Sequence, residues 1–456
     1  MKKIFLISLL LVVQGAYVQA QGFKAMRFDE DYSTLVQDTT KDWYQKLKFM
    51  PISKSGNTYL SIGGEFRNQY FKYEHPDWGE APKDADGFVL GRYLIHSDLH
   101  VGKSFRLFGQ IQSSSSSGEA EEPSPVNQNP LEIHQLFADG VLPLGNQASL
   151  LFRIGRQELS FGSQRIVSVR EAPNNRQAFD GIKLQFRDHN MKLDALYTHY
   201  VQAKSGIFDD RISSNIKLWG LYSTINEVPL LKQIDLYYLG YERRRAVFDD
   251  ISGKERRNSI GLRTWKSGST LEYDIEALYQ FGKISGDEIR SWTLSANLGY
   301  HFKNVLWKPK VGVKSEFIAG DKSYDDGRLN TFNPLFPKGG YFGMAALIGP
   351  ANLFDVHPYV EFSLTKNLLL STDYDFFWRM EKSDGIYAVN GKLIYSGKNT
   401  KERFIGGQLG TALEYNPVKY LYFRAEFSWF DTGKFLKEAG PGRDIQMYGL
   451  TATIKF

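Results

Sequence analysis

The chain closes on Tyr448-Gly-Leu450-Thr-Ala452-Thr-Ile454-Lys-Phe456, with an apolar residue at every second position and an aromatic at the end. Period-2 alternation sends Tyr448, Leu450, Ala452, Ile454 and Phe456 to one face of a strand. Met447, Gly449, Thr451, Thr453 and Lys455 go to the other. An apolar outer face, a polar inner face and a C-terminal Phe describe the last strand of a bacterial outer-membrane β-barrel. Other alternating segments should then close the same cylinder, and function becomes a question about its lumen.

The N-terminus agrees with a secreted destination. Met1-Lys2-Lys3 is a short positive region, Ile4 to Val13 is an apolar run, and Val18-Gln19-Ala20 supplies small residues before Gln21. Residues 1–20 are therefore expected to be a signal peptide cleaved after Ala20. The apolar run is too short to span a bilayer as a helix. The chain has no Cys, which removes lipoprotein attachment, disulfides and thiolate metal sites together.

At 456 residues a soluble chain would usually divide into several domains. Here mean hydropathy is −0.37 although aromatics make up 14% of the residues, with 32 Phe and 26 Tyr. A transmembrane barrel reconciles these values, because each strand shows lipid only half its side chains and aromatic girdles mark both interfaces. The formal charge of +5 becomes +3 once Lys2 and Lys3 leave with the signal (5 − 2), so the placement of charge matters more than its sum.

Residues 21–56 read as a polar periplasmic lead-in with a short turn of helix, and 57–456 as the barrel. Alternation begins at Tyr59 and recurs in segments from 87–101 to 445–456, about 18 strands, giving an all-β transmembrane antiparallel barrel with an even strand number. Short turns such as Gly102-Lys103, Arg187–Asn190, Lys266–Ser269, Thr365-Lys366 and Asn416–Lys419 follow every second strand. Longer segments lie between them: Ser113–Pro130, Glu158–Ala178, Arg243–Arg256, Gly320–Asn352, Glu381–Glu402 and Asp431–Asp444. Short periplasmic turns and long outer loops, with both termini inside, are the expected asymmetry; a soluble β-sandwich would not show it so regularly.

Charges opposite the apolar stripes should line the interior, since Arg or Lys facing the bilayer midplane costs about 2–4 kcal/mol. Candidates are Glu65, Arg67, Arg92, Asp98, Arg106, Lys192, Lys314, Asp373, Arg379, Arg424 and Glu426. They could form a stiffening salt-bridge network, or an electrostatically selective pore. The pore reading is preferred for the set, because both signs persist through so many strands.

The densest signal runs Arg153-Ile-Gly-Arg156-Gln-Glu-Leu, through Arg165, Arg170 and Arg176, to Phe179-Asp180-Gly181. It resembles the signature region of the alginate-export family of outer-membrane proteins. So do Thr331-Phe-Asn-Pro-Leu-Phe-Pro337 through Phe342, and Arg27-Phe-Asp-Glu-Asp31 with Gly63-Gly64-Glu65-Phe-Arg67. The resemblance implies an 18-stranded monomeric barrel whose Arg-rich constriction passes an acidic polyuronate. On that implication Arg156, Arg165, Arg170, Arg176 and Asp180, with Arg67 by its context in the first strand, would line the path; Arg153 is a further pore-lining candidate. Guanidinium forks match carboxylates and stay protonated, and several weak sites let a polyanion advance without stalling. The alternative for Arg165, Arg170 and Arg176 is an outer loop meeting lipopolysaccharide phosphates, the role assigned to Arg243–Arg245 and Arg256-Arg257, or else a solvated face. Ser113–Ser117 with Gly118–Glu122 reads as an acidic, mobile outer loop.

Enzymatic readings are weaker. His96, Asp98 and His100 share a strand face, but no third metal ligand is fixed; Asp373-x-Asp375 reads as a lumenal charge pair. Trp292, Trp378 and Trp429 read as interfacial anchors. The expectation is a passive export channel for an anionic, alginate-like polysaccharide, the alternative a general or nutrient porin for small anions or oligosaccharides, and a barrel enzyme stands third. No catalysis, cofactor or nucleic-acid partner is expected. Partners would be the polysaccharide, outer-membrane lipid and lipopolysaccharide, and periplasmic secretion proteins.

Overall fold

The computed structural model describes residues 23–343 and 345–456, apart from the Tyr341 side chain. The expected signal peptide lies outside the described residues. Eighteen antiparallel strands build one closed wall. They are β1 (Thr58–Glu74), β2 (Phe88–Val101), β3 (Phe105–Ser117), β4 (Asn129–Leu144), β5 (Ala148–Gln157) and β6 (Phe179–Arg187). Next come β7 (Met191–Gln202), β8 (Arg211–Val228), β9 (Lys232–Val247), β10 (Ser252–Lys266), β11 (Leu271–Ile284) and β12 (Asp287–His301). Then follow β13 (Lys310–Ile318), β14 (Leu353–Thr365), β15 (Leu368–Arg379), β16 (Phe404–Tyr415), β17 (Leu421–Thr432) and β18 (Ile445–Lys455). Each pairs with the next in sequence, and β18 closes on β1 from Glu65↔Lys455 to Glu74↔Gln446. Two-residue strands at Met50–Pro51 and Arg328–Leu329 attach to this wall.

Alternation decides which way each side chain faces. On β18, Tyr448, Leu450 and Ile454 are exposed on the outer face while Met447, Thr451 and Thr453 are buried inside. The same outward stripe includes Ile95, Leu107, Ile154, Leu184, Leu262 and Leu294. Trp292 and Trp429 are exposed on that face, and Trp378 stacks on Phe354 beside Phe376. Among the described residues no helix is long and apolar enough to cross a membrane; a barrel crosses with strands.

The lead-in is anchored rather than loose. Helix α1 (Trp43–Lys48) starts in a capping box, Asp42 accepting from the Gln45 amide at 2.7 Å while Gln45 Oε1 accepts from the Asp42 amide at 2.9 Å. Arg27 donates to the carbonyls of Gly64 and Phe456 at 3.0 and 2.7 Å, tying the segment to the barrel's closing seam. Phe28 packs edge-on against Phe108 and Phe137 of the inner wall. The Arg153 guanidinium lies 3.7 Å from the Phe137 ring centre and 4.2 Å from that of Phe28.

Two segments differ from expectation. Ser113–Ser117 is not loop: these serines extend β3 and pair with Tyr93 to Val89 of β2, because a neighbouring strand satisfies a polar backbone as well as water does. Strands β9 and β10 likewise run on to Val247 and from Ser252, so most of Arg243–Arg256 is wall. Arg244, Arg245 and Arg256 are exposed. Arg257, grouped with them from sequence, is instead fully buried, bonded to Glu255 at 2.5 Å, Gln280 at 2.8 Å and the Thr331 carbonyl at 3.1 Å.

Candidate functional site

The connection between β5 and β6 turns into the barrel. Val167 pairs with Phe336 of the β13–β14 connection, and Phe336 packs on Phe179, Tyr200 and Tyr241. Leu159, Phe161, Ile166, Phe332, Leu335, Ile386 and Phe435 join inward residues of the wall in one apolar cluster. Three long connections and the short helix α2 (Lys434–Ala439) thus share a core inside the cylinder.

Most of the sequence-chosen guanidiniums hold this interior together. Arg67 donates to the carbonyls of Glu171, Ala172 and Pro173. Arg92, fully buried, bridges Glu65 at 2.6 Å and Glu171 at 2.5 Å. Burial alone would raise the Glu171 carboxyl, but Arg92 and then Arg176 hold it below its ordinary value. Arg176 also bonds Glu158 at 2.9 Å, and Arg165 reaches Glu276 at 2.9 Å and Glu316 at 3.0 Å across the lumen. Asn174 donates to the carbonyls of Gly91, Ser115 and Asn127, pinning the loop to β2 and β3.

Others form pairs along the wall: Arg106 with Asp98, Arg153 with Asp139, Lys192 with Asp194, and Arg424 with Glu426. Arg379 donates to the carbonyls of Lys382, Asp384, Thr400 and Glu402 and is wholly enclosed. Asp373 lies against His357 rather than an Arg. His96, Asp98 and His100 do not converge on one point; His100 meets Asp98 at 3.1 Å, and Asp98 is committed to Arg106.

Three cations stand apart. Arg170, whose backbone is left-handed at φ 56°, makes no ion pair among the described residues, and its Nε is buried without a partner. Lys314 of β13 faces the Tyr359 ring at 5.4 Å. Lys338, on the β13–β14 connection, is one sequence reasoning missed: its ammonium pKa is lowered by burial, then by the charges of Lys314 and Arg424. Its signal was present in the Pro337-Lys338-Gly339 loop motif, but nothing in the spacing turned it inward.

Arg170 opens on a cleft of about 410 Å³ lined also by His134, Arg156, Arg176, Gln177, Tyr200 and Gln202. Arg156 enters it while paired with Asp180 at 3.0 Å. A larger hollow of about 710 Å³ lies between the short turns at Leu144–Ala148 and Asp188–Asn190, away from these charges. The Arg170 cleft combines cationic forks, amide donors and one tyrosine ring with a single carboxyl, that of Asp210, a lining suited to a hydroxylated anion.

A closed eighteen-strand wall with inward loops defines an outer-membrane, porin-like channel barrel. Residues 58–447 match the profile of the alginate export family, and the chain belongs to that family. Similar solved structures come from Pseudomonas aeruginosa. OccK2 (OpdF), in complex with glucuronate, is 12% identical with TM-score 0.55, covering 87% of this chain and 96% of that one. OpdK with vanillate is 10% identical with TM-score 0.58, covering 87% and 98%. OccK11 (OpdR) is 14% identical with TM-score 0.54, covering 87% and 96%. No curated protein sequence matches the chain.

Proposed function

We propose that the protein is a passive, monomeric channel through which an anionic, alginate-like polysaccharide leaves the cell. The observation that carries this reading is the Arg170 cleft, where one guanidinium without an acidic partner faces a sugar-sized hollow between Arg156 and Arg176. Lys338, which is exposed, and Lys314 are further cations with no ion pair among the described residues. Spaced, unpaired cations bind a polyanion weakly and repeatedly, which favours passage over capture. The paired guanidiniums shape the path and keep the loops in place. Membership of the alginate export family supports the polymer, and a glucuronate complex of a barrel of the same fold supports uronate chemistry.

Planar-bilayer recording tests this. Anion preference and reversible block by added polyuronate are expected, with block weakened about tenfold by Arg170→Gln with Lys338→Gln. Cation preference with no block by polyuronate would falsify the reading. A second reading, a porin for small anions, draws on the shared apolar core of the inward loops, which leaves less of the lumen to a polymer; it predicts steady conductance of small uronates and no polymer block.

A further inference from the structure

On the inner wall, away from the Arg170 cleft, β14 and β15 bring Asp355, His357 and Asp375 together. One potential ligand atom from each lies within 4.8 Å of the others. All three side chains are buried, at 1%, 2% and 0% exposure. His357 Nδ1 is 3.1 Å from Asp375 Oδ2 and its Nε2 is 3.2 Å from Asp373 Oδ1. Neither contact is aligned as a hydrogen bond, so both Asp375 oxygens, Asp355 Oδ1 and His357 Nε2 lack partners.

Gln408, opposite Asp375 on β16, is equally enclosed and has neither its oxygen nor its nitrogen bonded. The inward loop covers it: at Gly343, φ +88°, a Cβ would stand 1.7 Å from Gln408 Nε2. Apart from His357 itself, no cation among the described residues forms an ion pair with these carboxylates. Arg165 is engaged with Glu316 and Glu276, and Lys314, opposite His357, lies over Tyr359 and forms no ion pair among the described residues. Buried carboxylates that close together, with so little compensation, require a cation or a proton.

We propose that Asp355, His357 and Asp375 form a structural site for a divalent transition cation of the Zn²⁺ class. One imidazole nitrogen with two carboxylate oxygens is a donor set suited to that class. Nδ1 is the ligating atom, since it faces Asp375. With the ring turned onto the cation, Nε2, 3.2 Å from Asp373 Oδ1, would donate to it and so fix the tautomer, the usual outer partner of a metal-bound His. Bound there, the cation joins β14 to β15 beneath the inward loop. It has no part in solute passage, so its test is independent of what the channel carries.

The experiment uses the full-length folded barrel in detergent, stripped with chelator, dialysed against Zn²⁺ alone and analysed for bound metal, with Co²⁺ absorption as a second readout. One Zn²⁺ per chain is expected, and a visible Co²⁺ spectrum that disappears on adding Zn²⁺. Asp375→Asn and His357→Gln should each weaken binding at least tenfold while the barrel retains its heat-modifiable gel mobility; Asp373→Asn should weaken it less. Absence of bound Zn²⁺ in the folded wild type, or wild-type binding in both ligand variants, overturns the proposal. Ca²⁺ displacing Zn²⁺ at equal concentration also overturns it, because an oxygen-only site would not need His357.

Discussion

At the scale of single residues, a charged group in this barrel is best understood by what it is bonded to. Arg379 and Arg170 are both arginines singled out from sequence, yet one donates to the carbonyls of four residues and the other forms no ion pair among the described residues. Arg379→Met should therefore strand buried carbonyls at about 1–3 kcal/mol each. The expected result is a lower thermal unfolding midpoint and faster proteolysis within 381–402, with ion selectivity unchanged. Arg170→Gln should leave the unfolding free energy within about 0.5 kcal/mol of wild type, the ordinary range for a substitution outside a bonded network, and should alter anion preference and polyuronate block instead. Equal stability losses in the two variants would contradict this division. His357 carries the same lesson. A His-x-Asp pair on one strand was visible at His96 and Asp98, but the three-residue convergence lies at Asp355, His357 and Asp375.

At the scale of elements, the inward connections are held by a few long-range bonds. Arg165 joins the β5–β6 connection to β11 and β13. Arg165→Leu leaves two buried carboxylates without their cation, a change costing about 3–5 kcal/mol where a buried pair is broken. Larger and noisier single-channel conductance is expected as that loop loses its seat. The connections after β13 and β15 meet at Asp321 and Asp384, where Asp384 accepts from the Asp321 amide, Thr331, Gly385 and Tyr387. Burial pushes Asp384 up to about 6. Burial, with the charges of Asp384 and Asp250, pushes Asp321 up to about 7. An ordinary Asp titrates near about 4, so the packed loops bind protons that free loops would release. Their packing is most favoured below about pH 4 and weakens as pH rises through 6 to 7. Protease access to these connections should increase between pH 5 and pH 8, and Asp321→Asn, which keeps the oxygen that accepts from Asn330 and mimics the protonated form at the other, should flatten the response. A wild type equally resistant at both values would refute it.

At the scale of the whole molecule, lipid outside and side chains inside set opposite demands on alternate residues of the same strand. Leu294 sits mid-strand on β12, exposed on the outer face. Leu294→Arg should destabilise the folded barrel by about 2–4 kcal/mol if that face meets the midplane, read as loss of the folded gel species in lipid vesicles. Conservative change at the inward Ser295 should do far less.

The strand count, the two faces of each strand, most of the alternation of short turns and long connections (Arg243–Arg256 excepted), and the family were legible in the residues themselves. Each depends on periodicity or on contiguous motifs, and a β-strand imposes its period on neighbours in sequence. The extension of β3 through Ser113–Ser117 was not legible, because serine takes strand or loop according to the partner beside it. Nor was the division of arginines into paired and unpaired, the inward turn of Lys338, or the meeting of His357 with Asp375. Those depend on which residues face each other across a lumen, and a chain's local pattern says only that a side chain points inward. Closure of the wall and the seating of the loops decide what it finds there.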